Sequence, residues 1–407
     1  MNCRNCGSNR LIQVLDLGHA PPTNSYRCQD ELKLPEVTYP LAVAHCEECS
    51  LLQTTHTVPT GELFHSDYQY FSSTSSTWSA HVRDFVLEMI PRMGLGQHSL
   101  VMEVASNDGY LLREFVAKEI QVVGIEPTAS TATHARKLGV RTVEVFLGKQ
   151  TAEELVNEFG QADLVIANNV LAHVPDLDDF VGGLAKLVSD DGLLTVEFPH
   201  VANLIRWNQF DTIYHEHFSY LSLSVVSEMF RRHGLRTIDV QKLQTHGGSL
   251  RVFAAHSSSA HLNSNTVNSV LAEETGLQLG SSKTYGVLQQ SALKIRDDLL
   301  DFLINARREG RTVVGVGAAA KGTTLLNYCG VDRNYCKFVV DSAVAKQGLF
   351  LPGCHIPILG FDALASEKID DILILPWNIA DELGQEVRRT TDQDVKLWRA
   401  IPALQRV

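Results

Sequence analysis

Residues 214–222 read YHEHFSYLS, so Tyr214, His215, Glu216 and His217 stand together with a second tyrosine close by. Imidazole is the side chain whose ordinary pKa lies nearest neutral pH, and a carboxylate or phenol beside it can steer a proton. The stretch can be read as a proton-transfer site, a metal site or a polar loop. H-E-H lacks the i, i+4 histidine spacing of H-E-x-x-H and has no third ligand nearby, which counts against metal. On a regular strand Glu216 and His217 would point to opposite faces. A shared site therefore requires a turn or loop held by a rigid scaffold.

A second constellation is made of sulfur. Four of the eight cysteines fall at the N-terminal end as Cys3-x-x-Cys6 and Cys46-x-x-Cys49. Two such knuckles supply four thiolates, the donor set of a closed tetrahedral zinc site. The spacer exceeds the usual ribbon, but a longer loop adds little closure entropy. A shell filled by four protein ligands makes the expected Zn2+ structural; buried or exposed thiols without metal are the plain alternative.

The elements that must position these groups follow from periodicity. HVRDFVLEMIPRM has helical spacing, and SLVMEVASNDGYLLREFV reads as a buried strand, a Gly-containing turn and a helix. Strands follow in VVGIEP, ADLVIANNV and GLLTVEFP, separated by helix-like sequence, which predicts a parallel sheet covered on both faces. A helix, a strand, the tight THGGS turn and the strand LRVFAAH close this region with an antiparallel hairpin, the layout of a class I methyltransferase. Ligands of such sheets lie over the carboxyl ends of the strands. The candidates there are Glu103, Asn107, Asp108 and Gly109 after one strand and Glu126 after the next. Asn168, Asn169 and His173 follow on the rim of the same crevice. An acid at Glu126 can accept from both hydroxyls of a ribose. With no G-x-G-x-x-G to hold a pyrophosphate, the pattern suits S-adenosylmethionine better than a dinucleotide.

Beyond residue 257 a polar stretch leads into a long helical pattern near residues 285–309 and then a second α/β alternation. GVGAAAKGTT, from Gly315, partly matches G-x-G-x-x-A, with Asp341 ending the next strand about 20 residues on. A nicotinamide-dependent sugar-nucleotide oxidoreductase is the alternative this supports. Trp377 and Asn378 in LPWNI end another strand, and the glycines of HGGS at 246–249 either approach substrate or only make the turn. The expected fold class is α/β. It comprises a small zinc-binding region (1–72), a Rossmann-like methyltransferase domain (73–256) and a second Rossmann-like domain (257–407).

The 407 residues exceed one ordinary core, and 44% hydrophobic with 20% charged residues is a globular balance. A net charge of −12 excludes the broad basic field that nucleic acid or an anionic membrane requires. No apolar run is long enough to span a bilayer, and the N-terminus lacks the apolar core of a signal peptide. A cytoplasmic protein, monomeric or weakly self-associating, is expected.

The motifs taken together, CxxC…CxxC, EVASNDGYLL, NNVLAHV, YHEHFSYLS and HGGSLRV, occur in the order found in sugar C-methyltransferases of deoxysugar pathways, which this chain resembles over nearly its whole length. The resemblance implies transfer of methyl from S-adenosylmethionine to a carbon, commonly C3, of a nucleotide-linked 4-keto-6-deoxysugar. It implies that His217 is the base that makes the enolate, with Glu216, Tyr214, His173 and Tyr68 around the sugar and Tyr70 as the competing tyrosine. It further implies that the C-terminal domain holds the nucleotide end, where Lys321, Gly322, Thr323 and Asp341 are the candidates. A sugar-nucleotide-binding protein with a degenerate methyltransferase domain, and an enzyme that methylates oxygen or nitrogen, are the competing readings.

Overall fold

The computed structural model describes residues 1–59 and 76–407. Among them the chain forms three sheets. The first is antiparallel, with order β1 (Leu11–Ala20), β2 (Tyr39–Cys46), β3 (Leu52–Thr54) and β9 (Ser219–Tyr220). Its last strand comes from far along the chain: Leu52 pairs with Tyr220 and Gln53 with Ser219. The YHEHF segment is thereby stitched to the cysteine-bearing region.

The second sheet holds β4 (Leu100–Val104), β5 (Gln121–Ile125), β6 (Thr142–Val143), β7 (Ala162–Asn168), β8 (Val188–Pro199), β10 (Leu235–Leu243) and β11 (Ser249–His256). The spatial order is β10-β11-β8-β7-β4-β5-β6. β4 to β8 pair in parallel, and β11 inserts antiparallel between β8 and β10. Val101, Met102 and Val104 of β4, with Leu164, Val165 and Ile166 of β7, are buried, as a sheet covered on both faces demands. Helices such as Leu177–Leu187 and Leu223–Arg232 supply the cover, and each starts at a side-chain cap, Asp176 or Ser222.

The third sheet has the order β14-β13-β12-β15-β16-β17, from β12 (Val313–Val316), β13 (Val339–Val340), β14 (Ile358–Leu359), β15 (Asp371–Ile374), β16 (Lys396–Arg399) and β17 (Gln405–Arg406). The long helical pattern before it resolves into a short helix, Ser282–Tyr285, and Leu288–Arg308. Gly286 lies between the two, where a residue without a side chain weakens helix continuity. One apolar core joins this region to the first sheet, with Leu15, Leu41, Phe210, Tyr285 and Leu325 in contact. Among the described residues no helix is long and apolar enough to cross a membrane.

Candidate active site

The Sγ atoms of Cys3, Cys6, Cys46 and Cys49 lie within 4.8 Å of one another. Cys3 and Cys49 are 3.5 Å apart and Cys6 and Cys46 3.7 Å. A tetrahedral site with Zn–S of about 2.3 Å has its sulfurs about 3.7 Å apart, so the four thiols are close enough together to hold a zinc ion with small shifts. Four protein ligands leave no position for a substrate.

Methyl-donor candidates gather along the carboxyl edge of β4, β5 and β7. Glu126, just past β5, accepts the backbone N–H of Asn107 through Oε2 and that of Thr128 through Oε1, each at 2.9 Å. These bonds fix its carboxylate at the crevice while leaving further lone pairs for ribose hydroxyls. Gly109 adopts φ +77°, and a Cβ there would lie 3.0 Å from the Ala135 side chain, so a glycine is needed for the turn to close on the neighbouring helix. Glu103 is buried, and burial first, then Asp108, Glu126 and Glu197, push its pKa well up. Glu103 Oε2, Asn168 Oδ1 and both side-chain polar atoms of Asn169 are buried and unpartnered among the described residues. Polar atoms left this way at one sheet edge suit a polar nucleoside ligand.

The YHEH segment is a turn rather than a strand, with His215 and Glu216 at its bend. His217 Nδ1 lies 3.0 Å from the carbonyl of Thr212, and Nε2 lies 3.0 Å from the Tyr214 hydroxyl. A carbonyl only accepts, so Nδ1 carries the proton and Nε2 is the basic nitrogen, accepting from Tyr214. The rings of Tyr214 and His173 stand 4.1 and 4.7 Å from that of His217. Burial, then His173, lowers the His217 pKa well below the ordinary value, against the Thr212 carbonyl, which raises it. His173 is lowered to about 4 by burial. Both imidazoles are neutral at pH 7. Glu216 turns the other way: Thr23 Oγ1 donates to both its oxygens at 3.2 Å and Asn24 Nδ2 to Oε1 at 3.1 Å, while burial raises its pKa.

The remaining candidates divide. Tyr68 and Tyr70 lie outside the described residues. Asp341 accepts the N–H groups of Ala318 and Ala343 at 2.8 Å each, so it braces the glycine-rich turn of the third sheet. Gly322 faces the sheet, where a Cβ would meet Leu375 at 2.7 Å, and Thr323 is buried with its hydroxyl 3.4 Å from the carbonyl of Ala319. Both serve packing of the helix Ala320–Cys329. The Lys321 amine donates to Asn378 Oδ1 at 2.5 Å and sits 4.7 Å above the Trp377 ring.

Asp211, Glu197, Arg251 and His81 carried no signal in the sequence, and His246 stood out only as part of the HGGS turn. Asp211 is buried, its Oδ2 accepts from Trp377 Nε1 at 2.7 Å, and burial raises its pKa to about 7. His246 takes φ +54° before two glycines, and a Cβ on Gly247 would collide with Trp377. Glu197 of β8 and Arg251 of β11 sit opposite each other as a buried ion pair, with Arg251 Nε 2.6 Å from Oε1 and His81 Nε2 3.1 Å from Oε2. Isolated acids, histidines and glycines of this kind are common, and only the pairing of distant strands reveals these.

Three stretches match known families: residues 3–64 a zinc binding domain, 78–240 a methyltransferase domain, and 244–402 the C-methyltransferase C-terminal domain. Over 381 residues the chain is 35% identical to the C-methyltransferase NovU of Streptomyces niveus, covering 94% of this chain and 90% of that one. The chain belongs to the C-methyltransferase family. This C-methyltransferase is an S-adenosylmethionine-dependent enzyme with a zinc-binding N-terminal region. Part of it, 121 residues or 29% of the chain, is 26% identical to a ubiquinone biosynthesis O-methyltransferase of Rhodopseudomonas palustris and spans 48% of that protein. Among solved structures, the magnesium protoporphyrin IX methyltransferase of Synechocystis with bound S-adenosylmethionine is 16% identical over 44% of this C-methyltransferase and 79% of that chain, with a TM-score of 0.34.

Proposed function

We propose that this C-methyltransferase methylates C3 of a nucleoside-diphosphate 4-keto-6-deoxysugar through an enolate generated by His217. The observation that carries the reading is the fixed tautomer of His217: Thr212 holds the Nδ1 proton, and Nε2 is a neutral, buried base. A carbon next to a ketone is acidic enough for such a base, which takes the C3 proton on Nε2 as the electron pair moves into the C3–C4 bond and onto the C4 oxygen. The Tyr214 hydroxyl, bonded to Nε2, is a rotor that can release this lone pair. S-adenosylmethionine, when bound, supplies the electrophilic methyl that the enolate carbon takes. Glu103, Asn107, Gly109, Glu126, Asn168 and Asn169 are the residues we assign to holding it.

Neutral His173, packed edge-on to His217, keeps the base dry and uncharged. Glu216 ties the turn to Thr23 and Asn24 of the N-terminal region, and Tyr68 or Tyr70 completes the sugar pocket in this reading. The nucleotide end lies against residues 257–407, where the amides at the start of the helix Ala320–Cys329 suit a diphosphate.

The test is deuterium exchange. Incubated in deuterated water with S-adenosylhomocysteine and a dTDP-4-keto-6-deoxysugar, the protein exchanges C3–H, seen by NMR, and His217→Asn slows exchange by about 10²-fold or more. Exchange undiminished in His217→Asn, or none in the wild type across a set of 4-keto sugars, rejects the reading.

A further inference from the structure

We infer that the Lys321 ammonium serves the reacting carbonyl rather than the nucleotide: it is the cation against which negative charge develops on the C4 oxygen as His217 takes the C3 proton. The inference rests on the sugar C-methylation reading above. Its basis is how the helix Ala320–Cys329 docks. Lys321 and Thr324 are three residues apart and so share one face of the helix. That face lies against residues 211–213, because the Thr324 hydroxyl donates to the Ile213 carbonyl at 3.2 Å in a buried contact. Asn378 Oδ1 and the Trp377 ring hold the Lys321 amine, and Trp377 spans from it to Asp211 through its indole N–H. The loop so gripped includes Thr212, whose carbonyl sets the His217 tautomer.

The partners that hold the amine leave its charge in place. An amide oxygen and an aromatic face attract an ammonium without neutralising it. The charged group that acts on Lys321 is Asp211, whose Oδ1 is itself buried and unpartnered among the described residues. The field of Lys321 reaches both His217 and His246, which it helps to hold uncharged. Asp341 and Lys346 are engaged with the turn at Ala318. As the C3–H bond breaks, its proton goes to Nε2, C3–C4 becomes a double bond and the carbonyl π pair settles on oxygen. A preorganised cation at that moment is the kind of group whose removal costs about 10²–10³ in kcat.

The experiment compares wild type and Lys321→Met for C3–H exchange at saturating sugar nucleotide with S-adenosylhomocysteine, and for the Kd of the same sugar nucleotide. We expect exchange to fall about 100-fold or more with Kd changed less than about threefold, the retained affinity reporting an intact fold. Exchange within about threefold of wild type, or a Kd that weakens in step with exchange, overturns the inference. An active wild type with an indifferent Lys321→Met sinks this inference alone, whereas a wild type inert toward every 4-keto sugar sinks the enolate reading beneath it.

Discussion

At the scale of single residues, the proposed chemistry depends on which nitrogen of His217 bears the proton. Any histidine offers two tautomers, and the Thr212 carbonyl selects one. Burial and the neighbouring His173 depress the pKa of the ring, so its neutral form persists as pH falls through the ordinary value of about 6.5. A depressed pKa puts the loss of the base at lower pH, not higher. We expect no acid limb in C3 exchange down to about pH 6.5, the limb lying below that value, while burial lowers the Lys321 amine to about 8 and so sets a loss on the alkaline side. An acid limb centred at or above 6.5 in a pH profile of kcat/KM would contradict a buried neutral base. The sequence singled out Tyr214, Glu216 and His217 by type and spacing. It did not place Thr23 and Asn24 on Glu216, because those contacts cross some 190 positions of chain.

At the scale of elements, β8 and β11 illustrate what register adds to pattern. GLLTVEFP and LRVFAAH both read as buried strands, and both are. Their antiparallel register sets Glu197 opposite Arg251, and His81 from the helix Ser76–Met93 closes the group. Removing one partner of such a pair leaves the other charge buried and uncompensated, a cost of about 3–5 kcal/mol. Arg251→Met is expected to lower the thermal midpoint by roughly 10 °C. Glu197→Gln combined with Arg251→Met should recover much of the loss, since no lone charge then remains. A single variant as stable as wild type would show that the pair is not what holds these strands in register.

At the scale of the whole molecule, the zinc knuckles reach the active-site turn by two routes. Cys46 and Cys49 flank the hairpin bend between β2 and β3, and β3 pairs with β9 directly after the YHEHF turn. Arg4, inside the first knuckle, donates to the carbonyls of Thr54 and Phe218 at 2.8 and 3.2 Å. The four thiols, if they hold a metal, would thus brace the turn that carries His217 through Arg4 and β3, since Phe218 is its neighbour in the chain. Chelation is expected to free four thiols per chain to a thiol reagent, to open residues 1–59 to protease, and to slow C3 exchange together with these changes. Thiols that titrate fully before any chelator is added would rule the metal out, and exchange unaffected by its removal would uncouple the two sites.

The sequence by itself determined the class of the fold, the two cysteine knuckles, the succession of strands and helices from about residue 98 onward and the segment that carries His217. These follow from local periodicity and from short spacings, which neighbouring residues enforce on one another. The tertiary structure decided the rest. It paired β9 with β3, set Glu197 against Arg251, and pointed Lys321 toward Asp211 and the His217 loop while Gly322 and Thr323 turned into the packing. Each of these joins residues far apart in the chain, and such contacts are fixed by how whole elements dock, not by the residues next to them in sequence.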